Sequence, residues 1–133
     1  MQSEKPIYKK PFETIDTYEE STWMGNDTPF METEYTGVFR DKYPCTAGHT
    51  LFIPKKNTPE YVGQSYGLAY EYGNRKVKEG KMMGFNVGMN IGLCAGQTIL
   101  WPHIHFIPRH EGDAEHHGGM RYTHPSADHN HYY

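Results

Sequence analysis

Apolar positions along this chain fall into short blocks whose spacing changes twice, from alternating to helical and back. Residues 1–30 are charged, rich in Thr and Tyr, and without a period. They read as an N-terminal arm over 1–29, or as an irregular covering segment. Phe30–Tyr35 and Thr36–Arg40 read as two short strands. Lys42-Tyr43-Pro44 breaks the pattern and opens a loop that closes at Gly48. Thr50-Leu51-Phe52-Ile53 is an apolar run of strand length, stopped by Pro54. Thr58 then offers a side-chain cap, Pro59 suits a first helical position, and Glu60 favours the positive end of a helix dipole. A helix is therefore predicted to run to about Lys78, striped by Val62, Ala69 and Val77 with Tyr66, Tyr70 and Gly73 beside them, and ended by Gly80. Across Met83–Asn90, Phe85, Val87 and Met89 alternate with small or polar residues, as in a strand. A connection over Gly92–Gly96 leads into a last strand, Thr98–Pro108. Beyond Arg109 the chain is polar, with a Gly118-Gly119 turn.

The predicted order is β-β-β-α-β-β. Short links between most strands argue for antiparallel pairing. The expected fold is α+β: a five-stranded antiparallel sheet, one main helix, and irregular N- and C-terminal segments. One helix covers one face, so the other is expected to stay accessible. The chain is expected to divide into the arm 1–29, a main domain 30–121 and a His-rich tail 122–133. Its 133 residues suffice for one core, and 11 Tyr add apolar area to a 36% hydrophobic content. A net charge of -3 gives no reason to expect a nucleic-acid partner. Cys45 and Cys94 form neither a metal-type pair nor a disulfide framework and read as reduced thiols. The start leads into no apolar signal segment, and no apolar run nears the ~20 residues that span a bilayer. A cytoplasmic protein without a membrane partner is expected.

Two histidines stand at i and i+2 in Trp101-Pro102-His103-Ile104-His105-Phe106-Ile107-Pro108-Arg109. On a strand, Trp101, His103, His105 and Ile107 share one face, and Pro102, Ile104, Phe106 and Pro108 the other. Three readings suit such a pair. Neutral imidazole is a nucleophile near pH 7 and forms a phosphoramidate that water cleaves. Donors for the phosphate oxygens would come from the Gly96 N–H, the Gln97 amide and the Thr98 hydroxyl just upstream. A His-x-His pair is also half a zinc site, although no carboxylate or third histidine stands close to it in sequence. Finally, the two rings can simply sit on a partly exposed sheet face.

The flanking residues separate these readings. Val38-Phe39-Arg40-Asp41-Lys42-Tyr43-Pro44 is followed by Ala47-Gly48-His49-Thr50-Leu51-Phe52-Ile53-Pro54-Lys55. Then come Asn90, Gly96-Gln97-Thr98, His103-Ile104-His105 and Pro108-Arg109. In this order they resemble the histidine triad (HIT) family of nucleotide hydrolases and transferases, over about Phe30–Arg121. The resemblance implies a homodimer formed through the helix and a strand edge. It implies hydrolysis of a phosphoanhydride or phosphoramidate of a nucleoside or dinucleoside phosphate, through a nucleotidyl-histidine intermediate. An adenine conjugate such as a diadenosine polyphosphate is the implied substrate. His103 matches the family's nucleophile and His105 the histidine that assists the leaving group. Asn90, Gly96, Gln97 and Thr98 match positions around the phosphates. Asp41 matches the reader of the ribose hydroxyls, Phe39 lies near the base, and His49 is close to the active site.

Trp101 departs from the family's His-φ-His-φ-His. It keeps the backbone carbonyl that orients the nucleophile and loses the imidazole. On the shared face its indole is expected to border the cleft and to stack on or shield the His103 ring. Retained activity is expected; the alternative is a catalytically weak nucleotide-binding module. The cysteine pair with which some members bind zinc is missing, and no cofactor is expected. All of the nine histidines except His49 lie at or after His103, including His110, His116, His117, His124, His129 and His131. They read as a polar ending able to take up adventitious divalent metal.

Overall fold

The computed structural model describes residues 14–115, 117–128 and 130–131; residues 1–13 of the expected arm, with His116 and His129, lie outside them. A short helix α1 (Thr22–Asn26) precedes β1 (Met31–Glu32), β2 (Thr36–Arg40) and β3 (Thr50–Pro54). The long helix α2 (Pro59–Lys78) follows, then β4 (Gly84–Gly88) and β5 (Ile104–Arg109). The strands form one five-stranded sheet in the order β1-β2-β3-β5-β4, every pair antiparallel.

The register explains the two-sided burial of β2, β3 and β5. Val38 pairs with Phe52 and Phe52 with Ile104, so these residues and Phe106 share the face beneath α2. α2 begins as its sequence prescribes: the Thr58 side chain accepts from the Tyr61 N–H at 3.2 Å, and Pro59 takes the first turn. Gly80, at φ +75°, follows its last residues. Its buried stripe is Ser65, Ala69, Tyr72 and Gly73, so Tyr70, placed beside the expected stripe, is exposed. Gly73 is needed for contact: a Cβ there would lie 2.5 Å from the Phe85 ring. The buried Ser65 and Thr36 hydroxyls, 2.6 Å apart, tie the helix to β2.

The opposite face is not left open. Ile15, Tyr18 and Trp23 cover it and form a second core with Phe39, Leu51, Ile53 and Trp101. The alternation of β2 and β3 leaves large apolar side chains on both faces, and a single helix shields only one. Part of the expected arm is therefore a packed cover, with α1 capped by the Ser21 side chain. The first expected strand shrinks to Met31–Glu32, and the fourth to Gly84–Gly88. The last strand starts at Ile104 rather than Thr98. Pro102 has no N–H for a ladder, and pairing with β3 begins only at Ile104. Among the described residues no helix is long and apolar enough to cross a membrane.

Phe106 is fully buried among Phe52, Tyr72 and Phe85, with ring centroids 6.0, 5.2 and 5.1 Å away. Phe106→Ala should lower the unfolding free energy by about 3–5 kcal/mol in denaturant titration, as for large cavities in packed cores.

Candidate active site

His103 and His105 flank the start of β5, their ring centroids 5.3 Å apart. His103 Nδ1 lies 2.8 Å from the Trp101 carbonyl oxygen. A carbonyl only accepts, so Nδ1 carries the proton and Nε2 keeps its lone pair. The Trp101 carbonyl therefore sets which nitrogen of His103 is nucleophilic. Trp23 packs against the same ring at 4.7 Å.

His49 reaches this pair from the end of the loop between β2 and β3. The Asp41 N–H donates to the His49 carbonyl at 3.1 Å and closes the loop. Gly48, at φ +87°, takes a backbone conformation that suits glycine. Within the loop the Cys45 N–H donates to His49 Nδ1 at 3.1 Å. A backbone N–H only donates, so neutral His49 carries its proton on Nε2. That proton faces His105 Nδ1 at 2.9 Å and Asp41 Oδ2 at 3.3 Å. His105 Nδ1 thus accepts, which leaves the His105 proton on Nε2. Two backbone groups, the Cys45 N–H and the Trp101 carbonyl, fix three rings: His103 presents a lone pair and His105 an N–H.

Burial keeps all three rings neutral. It pushes His49 below the ordinary histidine value against the opposing pull of Asp41. It lowers His103 as well, against its hydrogen bond to Trp101. His105 falls to about 4, through burial first and then the neighbouring His103 and His49.

The histidines line a recess of about 330 Å³, with Asp41, Lys42, Asn90, Gly96, Thr98 and Trp23. The fold thus brings Asp41, His49, Asn90, Gly96, Thr98, His103 and His105 together. It places three other expected residues elsewhere. Gln97 does not line this recess, because its amide braces the preceding loop: Oε1 accepts from the Gly92 N–H at 2.8 Å, and Nε2 donates to the Ile99 carbonyl at 3.1 Å. The Gly96 N–H is bound in the same turn, to the Leu93 carbonyl at 3.0 Å. Phe39 is wholly buried in the second core and offers no surface to a base. Trp101 neither stacks on His103 nor borders the recess. The chain before Ile104 is outside the paired strand, and the indole is buried in the core, where Nε1 donates to the Pro54 carbonyl at 2.9 Å. The ring that shields His103 is Trp23. Its only signal in the sequence was a large apolar residue two positions after the capping Ser21, inside a polar stretch.

Asp41, His49 and His105 also form the one candidate metal cluster among the described residues, their ligand atoms within 4.8 Å of one another. Sequence spacing hid it, because the carboxylate and third histidine come from another strand pair. The cluster does not fit a metal well. An ion on His49 Nε2 needs the proton on Nδ1, which the Cys45 N–H already occupies as donor. The two cysteines, Cys45 and Cys94, are exposed and free.

Residues 25–112 match the model of the HIT domain. The chain belongs to the HIT family. An uncharacterised HIT-like protein of Methanocaldococcus jannaschii is 37% identical over 90 residues, 63% of this chain and 70% of that protein. An adenylylsulfatase of Arabidopsis thaliana is 36% identical over 80 residues, 55% of this chain and 41% of that protein. An asymmetrical bis(5'-nucleosyl)-tetraphosphatase of Schizosaccharomyces pombe is 30% identical over 91 residues, 63% of this chain and half of that protein. The crystal structure of a Zn-bound histidine triad family protein of Mycobacterium smegmatis superposes with a TM-score of 0.59 at 31% identity, over 67% of this chain and 72% of that one. The HIT family thus includes hydrolases of nucleotide conjugates.

The ring environments have a measurable consequence. In the folded protein the His105 ring should titrate near pH 4, and the His49 and His103 rings below 6.5. The unfolded chain takes up these protons first, so stability is full above about pH 6.5 and declines as pH falls towards 4. Ring nitrogen NMR and the pH dependence of Tm check this. A ring of the three titrating at or above the ordinary value would contradict it.

Proposed function

We propose that this HIT protein is a nucleotide hydrolase that cleaves a phosphoanhydride or phosphoramidate of a nucleoside phosphate through a nucleotidyl-His103 intermediate. The carrying observation is the pair of opposed tautomers: a lone pair on His103 Nε2 beside an N–H on His105 Nε2. Attack on phosphorus needs the first, and a developing negative charge on the leaving atom needs the second. The name of the Arabidopsis relative supports an adenylyl conjugate as substrate, and that of the yeast relative a dinucleoside polyphosphate.

In this reading the nucleotide lies in the recess bounded by Asp41, Lys42 and Trp23. Each Asp41 oxygen already has one partner, the Tyr43 N–H on Oδ1 and His49 on Oδ2. A carboxylate oxygen accepts more than one hydrogen bond, so Asp41 can hold ribose hydroxyls without releasing His49. His103 Nε2 forms a bond to phosphorus as the bond to the leaving group breaks. The charge gained by the imidazole is met by the Trp101 carbonyl on Nδ1. Water then displaces His103, and the nucleoside monophosphate leaves with a proton released to solvent. No step needs a metal. A homodimer is proposed through α2 and β4, because β4 is an edge strand and Tyr70 on α2 and Met83 just before β4 are exposed.

The protein is to be incubated with diadenosine tetraphosphate and with adenosine phosphoramidate, with and without EDTA, and AMP followed. Acid quenching should leave adenylate bound to His103. His103→Ala should show neither turnover nor adduct while retaining its fold; turnover within a few-fold of wild type would end the assignment.

Trp101 bears on the alternative, a binding module without catalysis, because an indole transfers no proton. Its carbonyl already makes the contact that orients His103. Trp101→His should therefore change kcat by no more than about tenfold, ~1.4 kcal/mol. An inert wild type that gains rate by orders of magnitude from this substitution would favour the binding module.

A further inference from the structure

His105 and His49 border a second recess, of about 300 Å³, which shares Asn90 with the first and extends to Asn86, Ile107 and Met120. Its position follows from the strands. His103, His105 and Ile107 are spaced two apart along β5, while Gly88 and Asn86 of β4 pair with His105 and Ile107. The second recess therefore continues along β5 beyond His105, away from His103. The 3-10 helix Gly119–Thr123 brings Met120 against its wall. A Cβ on Gly88 would lie 3.1 Å from Met120 Cε, so the glycine leaves room for the thioether.

Displacement at phosphorus puts the leaving atom opposite the nucleophile. With His103 in the first recess, the leaving group departs past His105 into the second. We propose that the second recess is the leaving-group site, and that Met120 makes it select an apolar leaving group that carries no phosphate over a polyphosphate. This rests on His103 being the nucleophile. Among the described residues no Lys, Arg, Asp or Glu lines the recess, whereas Met89, Ile107 and Met120 do. Methionine adapts its shape to flat apolar groups. A polyphosphate needs cationic partners. Arg109, further along β5, is already held by Asp113 at 3.1 Å and by Asn86 at 2.7 Å. In the step itself the His103 Nε2 lone pair forms the N–P bond. The bond from phosphorus to the leaving oxygen breaks with its electron pair on that oxygen, which accepts a hydrogen bond from the His105 Nε2–H. Water then breaks the N–P bond and releases AMP.

The test compares two conjugates with the same nucleotide: the p-nitrophenyl ester of AMP, whose leaving group is apolar, and diadenosine tetraphosphate, whose leaving group is a polyphosphate. Intrinsic reactivity cancels when each variant is compared with wild type. Met120→Lys should lower kcat/KM for the ester, raise it for the tetraphosphate, and so shift their ratio by about tenfold or more. Met120→Leu should keep the ratio within about twofold. Thr123→Lys, on the same wall, should shift it in the direction of Met120→Lys. A ratio that neither lysine changes, in variants that melt cooperatively, overturns this inference and leaves the hydrolase reading standing. A wild type that cleaves neither conjugate overturns the hydrolase reading and this inference with it.

Discussion

Alternation along β5 ties the core to the chemistry. Ile104 and Phe106 point under α2 into the larger core, while His105 and Ile107 point the other way with His103 just before them. The apolar half anchors the strand inside the sheet, between β3 and β4. That anchoring fixes where the polar half stands, so the histidines inherit their precision from Phe106 and its aromatic neighbours. A one-residue slip would exchange the two sets, placing imidazoles in the core and phenyl rings in the recess. The cost of that exchange is what makes the register secure.

The second consequence is dielectric. Because Trp23 and the residues around it cover the other face, the histidines sit in a half-dry environment that favours their neutral forms. Neutral rings have two tautomers, and burial alone does not choose between them. The choice is made by backbone: a donor at Cys45 and an acceptor at Trp101. Main-chain groups suit this task because, unlike a side chain, they cannot rotate away or change protonation. The same wiring explains why a cluster with the composition of a metal site is better arranged for a proton.

The elements with strong local signals were legible in the sequence. α2 carried its cap, its proline and its glycine stop, and β2 and β3 carried apolar runs bounded by breakers. The HIT resemblance grouped Asp41, His49 and His103, which spacing alone could not, since their proximity depends on antiparallel pairing across 62 residues of chain. What escaped was whatever depended on packing of irregular chain. Trp101 obeyed alternation on paper, but Pro102 removes the ladder donor and the backbone leaves the strand there. The resemblance puts Phe39 near a base, and the cover that buries it has no periodic pattern in the sequence. The resemblance puts Gln97 among the phosphate positions, and no periodic pattern in the sequence marks the loop fold that occupies its amide with Gly92 and Ile99.

Trp101 and Trp23 are best understood together. An imidazole at position 101 would place a polar, titratable ring where this chain has a buried core. The indole fills that volume, and its single donor finds the Pro54 carbonyl, so no polar atom of the side chain is left without a partner there. The indole therefore suits a core that includes the N-terminal cover, in which Trp23 packs against the His103 ring. What position 101 contributes to His103 passes through the main chain, which every residue type supplies. The identity of the side chain is thus free to follow packing, while the carbonyl remains to orient the His103 ring. With Trp101 in the core, His103 and His105 both line the recess.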